Sequence, residues 1–200
     1  MKIDKNSITA VILAGGKGRR LEGQDKGLVV YQGKMLIQHV IERIQPQAFD
    51  VVINANRNQK TYAGFGFSVM SDEMSDFQGP LAGFATAMKS VTTDYIITLP
   101  CDGPSLPLDL VARMLLALNS SSEISDRIVV AHDGTRMQPA HALIPVTLID
   151  SLKAFLLTGD RKIKRWYTKH KIVLVDFSDQ PSAFFNINKR EQLSEHTTND

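Results

Sequence analysis

Along the chain, short apolar runs alternate with stretches in which apolar residues return every three or four positions. The runs at 8–13, 49–54, 67–70, 95–99, 127–132, 141–144 and 171–175 predict strands. Several of them are continuously apolar, as strands covered on both faces are. Between them, Leu36, Ile37, Val40, Ile41 and Ile44 make one helical stripe. Leu81, Phe84, Ala85 and Met88 make a second, entered through Gly79-Pro80, where proline suits the first helical position. Leu108, Val111, Ala112, Leu115 and Leu118 predict a third helix behind Pro107, and Thr147-Leu148-Ile149-Asp150 reads as a capping box that opens a fourth. This alternation predicts an α/β fold, a mostly parallel sheet with helices on both faces. A reversal at Asp133-Gly134 adds an antiparallel strand. The polar ends, 1–7 and 194–200, are expected to be mobile, and 119–122 to form a surface loop.

Length and composition narrow the picture. The chain has 200 residues, enough for one sizeable core, so a single domain is expected with its ordered part at about 8–193. No apolar run reaches membrane-spanning length and the first residues have no signal-peptide core, so a cytoplasmic protein is expected. A lone cysteine, Cys101, allows no internal disulfide and reads as inert packing. The net charge of +2 is too small to argue for bulk nucleic-acid binding. No histidine or cysteine spacing suggests zinc.

In open α/β sheets, ligands sit beyond the carboxyl ends of the strands. The residues after each strand candidate are therefore the place to look. The first is followed by Leu13-Ala14-Gly15-Gly16 and a basic loop with Arg20 and Lys26, whose bare glycine amides can approach an anion closely. This loop lacks the third glycine of the dinucleotide fingerprint, and the chain has no Walker motif. Asn54 comes after Val51-Val52-Ile53 in the second, Ser71-Asp72 follow the third, and Pro100-Cys101-Asp102 follow the fourth. Asp102 is a rigid, lone carboxylate opposite a phosphate-type loop, which suits Mg²⁺ held jointly with substrate phosphates. Residues 159–171 carry six Lys/Arg with Trp166 and Tyr167. Arg161, Arg165 and Lys169 are expected on one helical face, with Ile163 and Trp166 turned to the core. Gln138-Pro139-Ala140-His141 reads as an edge-strand proline with a hydrogen-bonded histidine.

Leu13-Ala14-Gly15-Gly16, Arg20-Leu21 and Asp25-Lys26-Gly27-Leu28 together resemble the signature of the molybdenum cofactor guanylyltransferases. Residues 52–57, Gly79-Pro80-Leu81-Ala82-Gly83, Pro100-Cys101-Asp102 with Pro104, and Phe184 with Asn186-Ile187-Asn188 extend the resemblance over nearly the whole chain. It implies a Rossmann-like, three-layer α/β/α nucleotidyltransferase fold. It also implies transfer of GMP from GTP to the phosphate of molybdenum-bound molybdopterin, with release of pyrophosphate. Carried over by position, Leu13, Ala14, Gly15, Gly16, Lys26, Asn54, Asp72 and Asp102 bind the nucleotide, and Asp102 binds Mg²⁺. Lys26, Asp102 and Arg20 carry catalysis, while Arg161, Asn186 and Asn188 lie toward the pterin. Cofactor-handling proteins and recipient molybdoenzymes are the implied partners, with neither nucleic acid nor membrane among them. Glu22 departs from the family's usual glycine, and Gly103 fills a variable position. The readings left open are a sister nucleotidyltransferase using CTP or a sugar-phosphate acceptor, a non-catalytic nucleotide-binding module, and a nucleic-acid binder acting through residues 159–171.

Overall fold

The fold comes from a computed structural model that describes residues 2–16, 24–72, 79–120, 126–188 and 190–193. Strands β1 (Ile8–Leu13), β4 (Asp50–Asn54), β5 (Ser68–Met70), β6 (Tyr95–Pro100), β7 (Arg127–His132), β8 (Met137–Pro145) and β9 (Lys171–Asp176) form one sheet in the order β5-β4-β1-β6-β8-β7-β9. Within it only β8 runs antiparallel to its neighbours. The β7–β8 reversal falls where Asp133-Gly134 predicts it. Asp133 Oδ1 accepts the amides of Thr135 and Arg136, and Gly134 takes a φ of 90°. Those two amides hold the Asp133 carboxyl below the ordinary carboxylate range.

Strand β1 lies between β4 and β6 and is covered on both faces, which is why its run is apolar but for Thr9, whose buried hydroxyl bonds that of Thr93. On one face Ile8, Ala10 and Ile12 join Ile37, Val40 and Ile44 of α1 (Leu36–Ile44) and Leu110, Val111 and Met114 of α4 (Leu110–Asn119). On the other, Val11 joins Leu81, Phe84 and Met88 of α3 (Pro80–Ser90), Leu152 and Phe155 of α5 (Ile149–Leu157), and Trp166 and Tyr167 of α6 (Ile163–Tyr167). Each of the larger side chains contributes roughly 1.5–3 kcal/mol by leaving water. The chain leaves β1 through α1 toward β4 and reaches β6 through α3, on the opposite face. A crevice therefore opens at the carboxyl ends of β1 and β6.

Several expectations need correction. The third helix starts at Leu110 rather than behind Pro107, and Leu108 stands before it, 68% exposed. Its core stripe runs through Leu110, Val111, Met114 and Leu118, with Ala112 exposed. The capping box at 147–150 does not form. A 3-10 turn over Val146–Leu148 precedes α5, and the Thr147 hydroxyl donates to Asp126 instead. The N-terminal end is tied down, since the Ile3 amide donates to Asn119 Oδ1 and Asn119 Nδ2 donates back to the Ile3 carbonyl. Asn119 closes α4 rather than opening a loop. Helix α6 spans five residues only, so Arg161 and Lys169 lie outside it and share no helical face with Arg165. Residues 138–141 belong to an interior strand. Pro139 falls where the β7–β8 register shifts, a bulge that tolerates its missing amide. Burial holds the His141 ring neutral, with its pKa lowered to about 3, and Nδ1 has no partner among the described residues.

Three small elements carry no strong periodicity and escape the sequence reading. They are the ribbon β2 (Val30–Tyr31) with β3 (Lys34–Met35), turned at Gln32-Gly33 with φ of 48° and 78°, and the five-residue α2 (Gln59–Ala63). Among the described residues no helix is long and apolar enough to cross a membrane.

Candidate active site

The carboxyl ends of β1, β4, β5 and β6 meet on one rim. Beyond Leu13 the chain stays laced to both neighbours. The Ala14 amide donates to the Asn54 carbonyl at 2.8 Å, and the Cys101 amide donates to the Leu13 carbonyl at 3.2 Å. Gly15 and Gly16 follow, and their amides donate to no acceptor among the described residues. The Gly16 carbonyl accepts from Arg57 Nη2 at 3.0 Å, which braces the start of the loop. Arg20 and Glu22 lie outside the described residues.

Asn54 is 3% exposed and turns its amide to Asp72, donating from Nδ2 to Oδ1 at 2.9 Å. Asn56 Nδ2 donates to the other oxygen at 2.7 Å, and its own Oδ1 accepts the Asp72 amide at 2.8 Å. Asp72 thus ties the ends of β4 and β5 together, and Asn56, absent from the predicted site residues, is half of that tie.

Gly83, in the first turn of α3, lets the helix close on this knot. A Cβ there would lie 2.5 Å from Asn54 Oδ1 and 3.0 Å from Leu13 Cδ2. Helix propensity alone would make Gly83→Ala stabilising by about 1 kcal/mol. The contact reverses the sign, and overpacking of this kind costs about 1–3 kcal/mol. Net of the propensity gain, the loss is up to about 2 kcal/mol, and the expected result in a thermal melt is a Tm lowered by up to roughly 8 °C for a chain of this size. A raised Tm would contradict the close approach.

Across the crevice, Lys26 and Asp102 meet directly. Lys26 Nζ donates to Asp102 Oδ2 at 2.9 Å and to Asn188 Oδ1 at 2.6 Å. The pair is shielded, with the Lys26 side chain 24% exposed and that of Asp102 10%. Among the described residues no donor reaches Asp102 Oδ1, so one carboxylate oxygen is open to a further ligand. The C-terminal segment is fastened to the same place. The Ile187 amide donates to the Asp102 carbonyl, and Asn188 Nδ2 donates to the Asn186 carbonyl. Gly103 makes this approach possible, since a Cβ there would sit 3.1 Å from Asn186 Oδ1. That oxygen is buried and has no partner among the described residues.

Of the predicted site residues, Leu13, Ala14, Gly15, Gly16, Asn54 and Asp72 line one side of the rim, and Lys26, Asp102, Asn186 and Asn188 gather on the other. Arg161 lies beside Gly79, at the N-terminal end of α3. Its Cβ is 4.0 Å from the position of a Gly79 Cβ, and its Nη1 donates to the carbonyls of Leu156 and Asp160. Cys101 is buried as expected, and burial foremost, then the neighbouring Asp102 and Asp25, pushes its thiol pKa up, which removes it as a nucleophile. Among the described residues the arrangement offers glycine amides, the Lys26 ammonium and one open carboxylate oxygen of Asp102. Such a set suits a polyphosphate with a divalent cation, and not covalent catalysis.

The description "MobA-like NTP transferase domain" fits residues 10–173 of this chain. A molybdenum cofactor guanylyltransferase of Shewanella amazonensis is 54% identical over 188 residues, 94% of each chain. One from Shewanella sp. strain W3-18-1 is 53% identical over 187 residues, again 94% of each. The crystal structure of molybdopterin-guanine dinucleotide biosynthesis protein A from Archaeoglobus fulgidus superposes with a TM-score of 0.73 at 22% identity, covering 92% of this chain and 94% of that one.

Proposed function

Because the chain belongs to the MobA-like NTP transferase family, we propose that it transfers GMP from GTP to the phosphate of molybdenum-bound molybdopterin, releasing pyrophosphate. The observation that carries this reading is the convergence of the Gly15-Gly16 amides, Lys26 and Asp102 on the crevice between β1 and β6. The names of relatives more than half identical over 94% of the chain support GTP as donor and the molybdenum cofactor as acceptor.

In this reading a phosphate oxygen of the acceptor attacks the α-phosphorus of GTP. A new P–O bond forms as the bond to the β-phosphate breaks, and pyrophosphate leaves with its electron pair. The attacking phosphate is already ionised at neutral pH, so no general base is needed and catalysis is alignment plus charge neutralisation. The Gly15 and Gly16 amides and Lys26 offset charge on the leaving phosphates. Asn186 and Asn188 face the acceptor side of Lys26. Arg161, whose Nη1 is bound to two carbonyls at the end of α5 and whose Cβ lies beside Gly79, stays on the acceptor side with the asparagines in this reading.

The residues present fit Mg²⁺ in one way. Among the described residues no group of three or more His, Cys, Asp and Glu could hold a metal ion alone. Asp102 has an open oxygen, while both oxygens of Asp72 accept from amides. Asp102 would therefore hold Mg²⁺ together with the nucleotide's phosphates, and the ion would neutralise charge on the leaving pyrophosphate.

Melting the protein with Mg²⁺ and saturating GTP, CTP or ATP tests the donor site. A ligand at about 100 times its Kd adds ~2.7 kcal/mol, which for this length is a rise of roughly 5–11 °C. GTP alone is expected to produce it. A rise with CTP and none with GTP would move the chain to a sister activity.

A further inference from the structure

Lys26 sits on a three-residue 3-10 turn, Lys26–Leu28, that follows Asp25. So short a turn does not hold a long side chain in place by itself. Asp25 is 8% exposed, a carboxylate taken out of water beside the crevice but not in it. Its Oδ1 accepts from Tyr62 Oη at 2.5 Å and its Oδ2 from Asn58 Nδ2 at 3.1 Å. Both donors belong to α2, Tyr62 within it and Asn58 at its N-cap, where asparagine tolerates the left-handed φ of 51°. Tyr62 is fully buried, and burial foremost raises its hydroxyl pKa far above the ordinary range, so it stays a donor at any working pH. A buried carboxylate must be paired or fully hydrogen-bonded, and these two bonds meet that need with no ammonium or guanidinium contact shown among the described residues.

Gly27 completes the clamp. A Cβ at Gly27 would fall 2.6 Å from Tyr62 Oη and 3.4 Å from both Cβ and Sγ of Cys101. The turn is pressed between the tyrosine hydroxyl on one side and the cysteine next to Asp102 on the other. We infer that Tyr62, Asn58 and Asp25 form a buried anchor whose task is to position the Lys26 ammonium opposite Asp102. Tyr62 and Asp25 are positioning residues here, and neither touches the reacting phosphates. The inference rests on the GMP-transfer reading for its effect on turnover, but not for its geometry.

The full chain carries the test, with Tyr62→Phe, Asp25→Ala, Asp25→Asn and Gly27→Ala compared in three readouts: kcat and KM for GTP, the rate at which a disulfide thiol reagent modifies Cys101 without nucleotide, and Tm. Tyr62→Phe keeps the packed ring and removes only the donor. It and Asp25→Ala are expected to lower kcat about 10-fold or more, because small misplacements of a catalytic group cost up to 10²-fold. KM for GTP should move less, since Lys26 acts most strongly on the charge that develops as pyrophosphate leaves. Both variants should also speed Cys101 modification severalfold while Tm stays well above the assay temperature. Asp25→Asn, which can still accept from Tyr62 if Asn58 turns its amide, should recover most of the kcat lost by the alanine. Gly27→Ala should be damaging alone and add little in a Tyr62→Phe background, where the clashing oxygen is gone. The inference is overturned if Asp25→Asn is as impaired as Asp25→Ala, which would mark a role for the charge itself. It is overturned equally if Tyr62→Phe matches the parent in kcat and Cys101 modification. The modification readout needs no activity, so an inactive parent would refute the functional reading while leaving the anchor to be judged on Cys101 alone.

Discussion

Replacing Asp102 with alanine is expected to lower turnover by about 10²-fold or more, the scale seen when one preorganised electrostatic stabiliser is lost. The carboxylate stands at the end of β6, held by Pro100 before it and by the Ile187 amide on its carbonyl, with one oxygen on Lys26 and the other open. If that open oxygen holds the cation that accompanies the triphosphate, the negative charge is what matters. Asp102→Asn keeps the shape and one acceptor for Lys26, yet should remain as impaired as the alanine. The opposite pattern is expected at Asp25, where asparagine restores function. Steady-state pyrophosphate release at several Mg²⁺ concentrations reads the difference. Recovery in Asp102→Asn to within a few-fold of the parent would remove the cation role from this residue.

The second large effect is expected at Lys26. In Lys26→Met the stem and much of the packing survive, but the ammonium that joins Asp102 to Asn188 is gone. Turnover should fall by about 10²-fold, because in this reading the charge that builds on the leaving pyrophosphate loses the ammonium that offsets it. Lys26→Arg should rescue little, since a planar guanidinium cannot satisfy both partners from the place of a compact ammonium. Groups that act as a unit are strongly non-additive when removed together. The double variant Lys26→Met with Asp102→Ala is therefore expected to fall well short of the product of the single losses. Fully multiplicative losses, measured as kcat/KM, would mean that the two residues act on separate steps.

These expectations draw on what the sequence states openly. The strands of the sheet interior are legible because burial on both faces demands largely apolar runs, and residues 8–13 and 95–99 show them, each with a single threonine. The rim was legible because strand ends in such a sheet point at the ligand crevice, so Asn54, Asp72 and Asp102 could be picked out by position. What escaped was whatever depends on distant contacts. Tyr62 and Asp25 are 37 residues apart, and nothing local marks a five-residue helix as the anchor of a catalytic turn. Asn56 stands in the sequence only as one residue of the run 52–57, and the fold shows it sharing Asp72 with Asn54. Leu108 misled in the other direction. Its periodic spacing fits a helix, but the chain behind Pro107 turns helical only at Leu110, and Leu108 is left in solvent. A hydrogen-bonded His141 is the expectation from the sequence, whereas its ring is buried and Nδ1 has no partner among the described residues.

The measurement that tests the central claim most directly is a single-turnover reaction of the purified chain with molybdenum-bound molybdopterin, Mg²⁺ and either GTP or CTP, with the products separated and weighed by mass spectrometry. The account predicts a guanine dinucleotide of the pterin formed in step with pyrophosphate from GTP, and none of the corresponding product from CTP. A cytosine dinucleotide formed in preference, or pyrophosphate released from neither nucleotide, would contradict it.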